Sequence, residues 1–121
     1  MSSSSEIGQR GEDLARVHLE KKGLKFLTAN WSCQMGEIDL VMKDGETIVF
    51  VEVKLRSSAS HGEGVDIVGW QKQQKLIRTA KQYQQKEDYW GDVRFDVISI
   101  LDQGDDENTL EHLEHAFEAT A

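Results

Sequence analysis

Two short stretches, residues 37–43 and 47–54, constrain the fold of this 121-residue chain more than any other feature. Both are nearly continuous in apolar residues: Ile38, Leu40, Val41 and Met42 in the first, Ile48 through Val51 and Val53 in the second. Asp44-Gly45 stands between them, and Asp-Gly flanked by β-formers is a strong hairpin signal. A strand that is apolar at almost every position is covered on both faces. The hairpin therefore belongs in the middle of a layered protein, with elements packed above and below it.

The remaining pattern supplies those elements. Residues 6–22 place Ile7, Gly11, Leu14, Ala15, His18 and Leu19 at helical spacing. Gly8 and Gly11 lie beside that face, which suggests close packing against a sheet, and Gly23 marks the helix end. Residues 24–31 read as a weakly alternating strand, and 69–86 as a second helix with Leu76, Ile77, Ala80 and Tyr83 as its buried stripe. A strand over 94–100 follows. Residues 56–68 form a polar loop long enough to suggest function. The tail is read as an acidic loop (102–109) and a short terminal helix over 110–119, and residues 1–5 as disordered. The order α-β-β-β-α-β predicts one α/β domain over 1–121, a central mixed sheet flanked by helices.

Carboxylates interrupt the apolar hairpin. With Asp44-Gly45 as the loop, Lys43 faces Glu46, Asp39 faces Phe50 and Glu37 faces Glu52. Glu37, Asp39, Glu52 and Lys54 then share a face, with Asp39 and Glu52 as diagonal neighbours about 7–8 Å apart at the backbone. A three-residue loop would put Asp39 and Glu52 on opposite faces. Buried carboxylates are costly unless something positive neutralises them. Lys54 offers one charge against three acids, and a divalent cation would resolve the imbalance. Oxygen-only donors suit Mg²⁺ or Mn²⁺ rather than Zn²⁺. Ordinary cross-strand ion pairing explains a lone strand Asp or Glu well, but explains Asp39 combined with Glu52-Val53-Lys54 poorly.

The net charge of −8 argues at first against a polyanionic partner. It is unevenly spread: residues 1–53 carry −3, residues 54–86 carry +5 and residues 87–121 carry −10. Charges beyond about 10 Å are largely screened, so the local field decides. On the second helix Lys72 shares a face with Leu76, and Lys75 lies on the adjoining stripe. No apolar run nears the roughly 18 residues of a membrane span, no signal-peptide core is present, and Cys33 is the sole cysteine. These features give the expectation of a cytoplasmic protein without a membrane partner. His112 and His115 point only weakly to metal. His18, Cys33 and Asp96 read as structural, and Trp31, Trp70 and Trp90 as packing residues before base-stacking ones.

Asp39 followed by Glu52-x-Lys54 resembles the bipartite signature of the PD-(D/E)xK nuclease superfamily. More closely, the chain resembles the YraN-like family of predicted endonucleases, distantly similar to archaeal Holliday junction resolvases. The matching segments are Gly8-x-x-Gly11-Glu12-x-x-Ala15, Asn30-Trp31, Gly36 through Leu40 and Phe50 through Lys54 with Arg56. Lys72 through Leu76, Arg94 through Val97 and Ala116-Phe117 continue the likeness. Ile38 stands where the superfamily name has proline, and Leu55 where threonine is common.

The resemblance implies a restriction-endonuclease-like core and Mg²⁺- or Mn²⁺-dependent hydrolysis of DNA phosphodiesters, with branched or junction DNA as a candidate substrate. Asp39 and Glu52 would hold the metal with the Val53 carbonyl, and Glu12 and Glu37 are further candidate ligands. Lys54 would orient the attacking water and stabilise phosphoryl charge. Arg56, Lys72 and Lys75 would contact phosphates. Junction cleavage would need a homodimer presenting two sites. The alternative is a non-catalytic nucleic-acid-binding or protein-interaction module on the same fold.

Overall fold

The computed structural model describes residues 4–57, 68–102 and 108–119. Helix α1 (Ser4–Lys21) leads into strands β1 (Lys25–Cys33), β2 (Gly36–Asp44) and β3 (Thr47–Ser57). Helix α2 (Trp70–Glu87), β4 (Val93–Asp102) and β5 (Asn108–Phe117) complete the α-β-β-β-α-β-β order. One five-stranded sheet runs β1-β2-β3-β4-β5, antiparallel throughout except where β3 pairs parallel with β4. Parallel neighbours need a crossover, and α2 provides it. No described helix is long and apolar enough to cross a membrane.

The helices cover opposite faces of the sheet. Ile48, Phe50, Phe95 and Val97 pack with Leu76, Ile77, Ala80 and Tyr83 of α2. Val49, Val51, Ile98 and Ile100 pack with Ala15 and Leu19 of α1. Successive strand residues thus serve alternate cores, which is why the hairpin sequence is apolar at almost every position. Gly11 is buried on α1 at a point where a Cβ would meet the Leu55 side chain at 3.0 Å. The helix therefore lies close on β3, as its glycine-lined face predicts. Gly23 adopts φ +98 and its N–H closes onto the Glu20 carbonyl, ending α1.

The structure corrects the sequence reading in three places. First, Asp44 pairs with Thr47 and Leu40 with Val51, so the hairpin loop is Gly45-Glu46 rather than Asp44-Gly45. Positive φ at the first loop residue, Gly45 at +61, is the type II′ pattern. The register moves by two residues, an even number, so side-chain parity survives.

Second, residues 110–119 are not helical: β5 pairs antiparallel with β4 from Asn108 to Phe117. Leu110, Leu113 and Ala116 mimic helical spacing. In the strand they serve both faces instead, Leu110 the α1 side and Leu113 and Ala116 the α2 side. An irregularity opposite Phe95 and Val97, with His115 at φ +53, brings Phe117 back against Phe95.

Third, the element limits move. Ser4 and Ser5 belong to α1, and Asp102, Asn108 and Thr109 to strands, so neither the disordered 1–5 segment nor the 102–109 loop keeps its expected bounds. Residues 1–3, 103–107 and most of the expected 56–68 loop (58–67) lie outside the described residues.

Candidate functional site

The β2–β3 ladder stops at Leu40 and Val51, and the next residue on β2 is Asp39. Regular alternation would put Ile38 and Leu40 on one face. Instead Ile38 joins the α2-side core and Leu40 the α1-side core. Their β1 partners follow the same change: Trp31 packs toward α2 and Ala29 toward α1. Between those partners Asn30 adopts left-handed φ +53, a conformation Asn tolerates better than other non-glycine residues. Both strands thus switch faces at one level, and Asp39 sits at the switch.

Continuing the ladder register by one step sets Asp39 opposite Glu52. The Asp39 carboxylate accepts the Val53 N–H at 2.8 Å through Oδ2, replacing a ladder bond with a side-chain one. Glu52 is buried, and its Oε1 lies 2.7 Å from Lys72 Nζ on α2. Gly36 allows this approach of α2. A Cβ there would meet Thr79 Oγ1 at 2.9 Å and Lys75 Cε at 3.0 Å. The result is an open cleft of about 500 Å³, walled by Glu37, Asp39, Glu52, Lys72 and Lys75 with Cys33 at its side.

The electrostatics of the cleft are unbalanced. Burial, followed by the neighbouring charge of Glu52, pushes the Asp39 carboxyl up to about 7, against the lowering effects of the Val53 N–H and Lys72. Glu12 adds to the upward push on Asp39 from α1. Its own pKa is raised by burial, offset in part by a hydrogen bond from the Asn30 side chain. Lys72 is held more basic by its hydrogen bond to Glu52. A half-buried and a buried carboxylate, Asp39 and Glu52, face each other, and the ammonium of Lys72 is bonded to Glu52.

The chain matches the family model described as "Uncharacterised protein family UPF0102" over residues 11–100. A UPF0102 protein of Stutzerimonas stutzeri is 43% identical over 98% of this chain and 100% of its own length. UPF0102 proteins of Ectopseudomonas mendocina (40% identical; 98% and 100% covered) and Vibrio campbellii (42%; 91% and 93%) match comparably. This chain belongs to the UPF0102 family.

Within the UPF0102 match lie all the site residues expected from the sequence, and the structure brings most of them together. Asp39, Glu52, Glu37, Lys72 and Lys75 wall one cleft, and Glu12 reaches it through its charge. Val53 contributes its N–H to Asp39, a bond that leaves the role expected of its carbonyl untouched. Lys54 follows Glu52 by two on β3, half-buried and outside the residues that wall the cleft; Arg56 is also half-buried, further along the strand. Among the described residues no three carboxylate, histidine or cysteine side chains already converge on one point. The carboxylate donors on the cleft floor are nonetheless hard oxygens, two of them opposed and short of positive charge, which fits a small divalent cation.

Sequence reasoning missed the roles of Asn30 and Lys72. Asn30 carried a usable signal, because asparagine is depleted in strand interiors and enriched at left-handed positions. The Lys72–Glu52 pair carried none, since it depends on where α2 crosses the sheet.

Proposed function

We propose that this UPF0102 chain is a divalent-metal-dependent phosphodiesterase acting on DNA, with a site of the PD-(D/E)xK type. The observation that carries the reading is the opposition of Asp39 and Glu52 on the cleft floor, where burial and then the charge of Glu52 push the Asp39 carboxyl up. A carboxylate pair kept short of positive charge is an unfavourable way to stabilise a fold and a favourable way to bind a cation. Asp39 and Glu52 hold the ion, with Glu12 and Glu37 close enough to add negative potential. When bound, Mg²⁺ or Mn²⁺ would polarise the phosphoryl group and the attacking water. Lys54 orients that water from the β3 side, and Lys75 and Arg56 hold flanking phosphates. The cleft is open, as a polymer substrate requires. Branched DNA and a homodimer with paired sites extend this reading, as does a cytoplasmic setting.

A second reading, a non-catalytic nucleic-acid-binding module, is favoured by one observation: Lys72 already occupies Glu52. A cleavage screen separates the two. Linear duplex, single-stranded and four-way DNA are incubated with Mg²⁺ or Mn²⁺ beside the Glu52→Ala variant. The phosphodiesterase reading expects metal-dependent cleavage that Glu52→Ala abolishes. Binding without cleavage in either protein supports the module instead.

A further inference from the structure

Lys72 was expected at a phosphate, yet its Nζ lies on Glu52 at 2.7 Å. Its side chain is 52% exposed while that of Glu52 is 9% exposed, so the ammonium bridges the cleft floor and solvent. The backbone beneath it is fixed, because Leu76, Ile77, Ala80 and Tyr83 anchor α2 in the core. Four flexible carbons still separate that backbone from the charge, enough for the ammonium to swing while the helix stays still.

We propose that Lys72 is an exchangeable cation that couples metal binding to phosphate binding: on Glu52 it competes with the metal, and a substrate phosphate draws it away. The inference rests on the phosphodiesterase reading and adds an order of assembly to it. A dication held by Asp39 and Glu52 would compete with Lys72 for the charge of Glu52, whose Oε1 the ammonium holds, and the two positive charges would repel at that range. Metal entry therefore moves the ammonium toward the cleft mouth, beside Lys75, where a phosphate is its natural partner. Conversely, a phosphate that captures Lys72 uncovers Glu52. Each ligand then strengthens the other by the same factor. Without nucleic acid, Lys72 weakens the site's hold on metal without abolishing it.

The test is Mn²⁺ titration by calorimetry on the full chain at pH 8, with circular dichroism to show that each variant folds. Lys72→Gln should bind Mn²⁺ roughly tenfold more tightly or better, the equivalent of one charge-assisted hydrogen bond no longer broken on binding. Lys75→Gln removes the same charge from the same cleft without touching that pair, and should change affinity by less than about threefold. Binding of a fluorescein-labelled 20-base-pair duplex, read by anisotropy, should tighten with Mn²⁺ in the wild type and lose that gain in Lys72→Gln. Equal or weaker Mn²⁺ affinity in Lys72→Gln would overturn the exchange, because Lys72 would then be positioning Glu52 for the metal. An Mn²⁺-induced gain in duplex affinity that persists in Lys72→Gln would overturn the coupling. If no variant binds Mn²⁺, the metal-site reading itself falls and the exchange with it.

Discussion

Two aspartates of the central sheet, Asp39 half-buried and Asp96 fully buried, both give up hydration and behave in opposite ways. Asp96 on β4 is fully buried and completely served. Arg94 donates from Nε at 2.9 Å and Nη2 at 3.0 Å, His112 Nε2 lies at 2.7 Å and the His115 N–H at 3.1 Å. Lys22 Nζ lies 2.8 Å from His112 Nδ1, so that nitrogen accepts and Nε2–H is left to donate to Asp96. Burial alone would raise the Asp96 carboxyl, but His112, Arg94 and the His115 N–H outweigh it and hold the group below its ordinary value. Asp39 has one N–H, a facing glutamate and a lysine committed elsewhere, and it rises to about 7. The difference lies in the partners, since both carboxylates lose water. Asp96 fastens β5 onto β4; under the proposed function, Asp39 would spend its remaining interaction capacity on a cation.

The largest effects should fall on Asp96. Asp96→Ala removes the buried partner of Arg94 Nε and Nη2 and of His112 Nε2, leaving Arg94 only Asp44 among the described residues, and should cost roughly 3–5 kcal/mol in urea unfolding. Asp39→Asn keeps an acceptor for the Val53 N–H and removes repulsion, so at pH 8 it should be neutral or stabilising by on the order of 1 kcal/mol. A comparable loss in both variants would erase the contrast.

The pH dependence of stability sharpens it. The raised Asp39 pKa means that the folded state binds the extra proton. Its contribution is intact below the ordinary value of 3.8 and is lost as pH climbs toward about 7, at up to about 1.4 kcal/mol per pH unit. The depressed Asp96 pKa works in reverse, with stability present above the ordinary value and lost as pH falls through the folded one. Chemical unfolding between pH 4 and 8 should therefore show a decline that Asp39→Asn flattens and that depends little on Asp96.

Metal should act on one aspartate only. With a dissociation constant of about 1 mM, roughly 10 mM Mn²⁺ adds on the order of 1.4 kcal/mol to the wild type and nothing to Asp39→Asn. Thermal melts in EDTA and in Mn²⁺ measure this directly, and identical wild-type melts would remove the metal site from the account. The smallest effect concerns Lys75. If it holds one phosphate, Lys75→Gln should reduce the slope of log affinity for duplex DNA against log salt by about 1, equally for all sequences. An unchanged slope would make Lys75 an ordinary solvated lysine.

What the sequence made legible was periodic, and what it hid was tertiary. The apolar runs around Asp44-Gly45 announced a hairpin covered on both sides. Asp39 and Glu52 stayed on one side of it, despite the wrong loop residues, because the register error was even. β5 was hidden because Leu110, Leu113 and Ala116 repeat at helical intervals, and only its pairing with β4 shows that they serve two faces. The face switch at Asn30 and Asp39 left one trace, an asparagine inside a strand pattern. Its extent arises from two strands bending together, which the pattern of one strand does not record. Lys72 was singled out as a cation near the site, but its partner depended on how closely α2 lies over Gly36.

The central claim is that Asp39 and Glu52 form a carboxylate pair waiting for a divalent cation, and carboxyl-detected ¹³C NMR tests it at the atom concerned. Without metal, the Asp39 side-chain carboxyl should titrate near 7, far above the ordinary 3.8. Saturating Mg²⁺ should drive that titration well down, because the ion must displace the proton to bind. An Asp39 carboxyl that titrates near 3.8 and does not respond to Mg²⁺ would contradict the account.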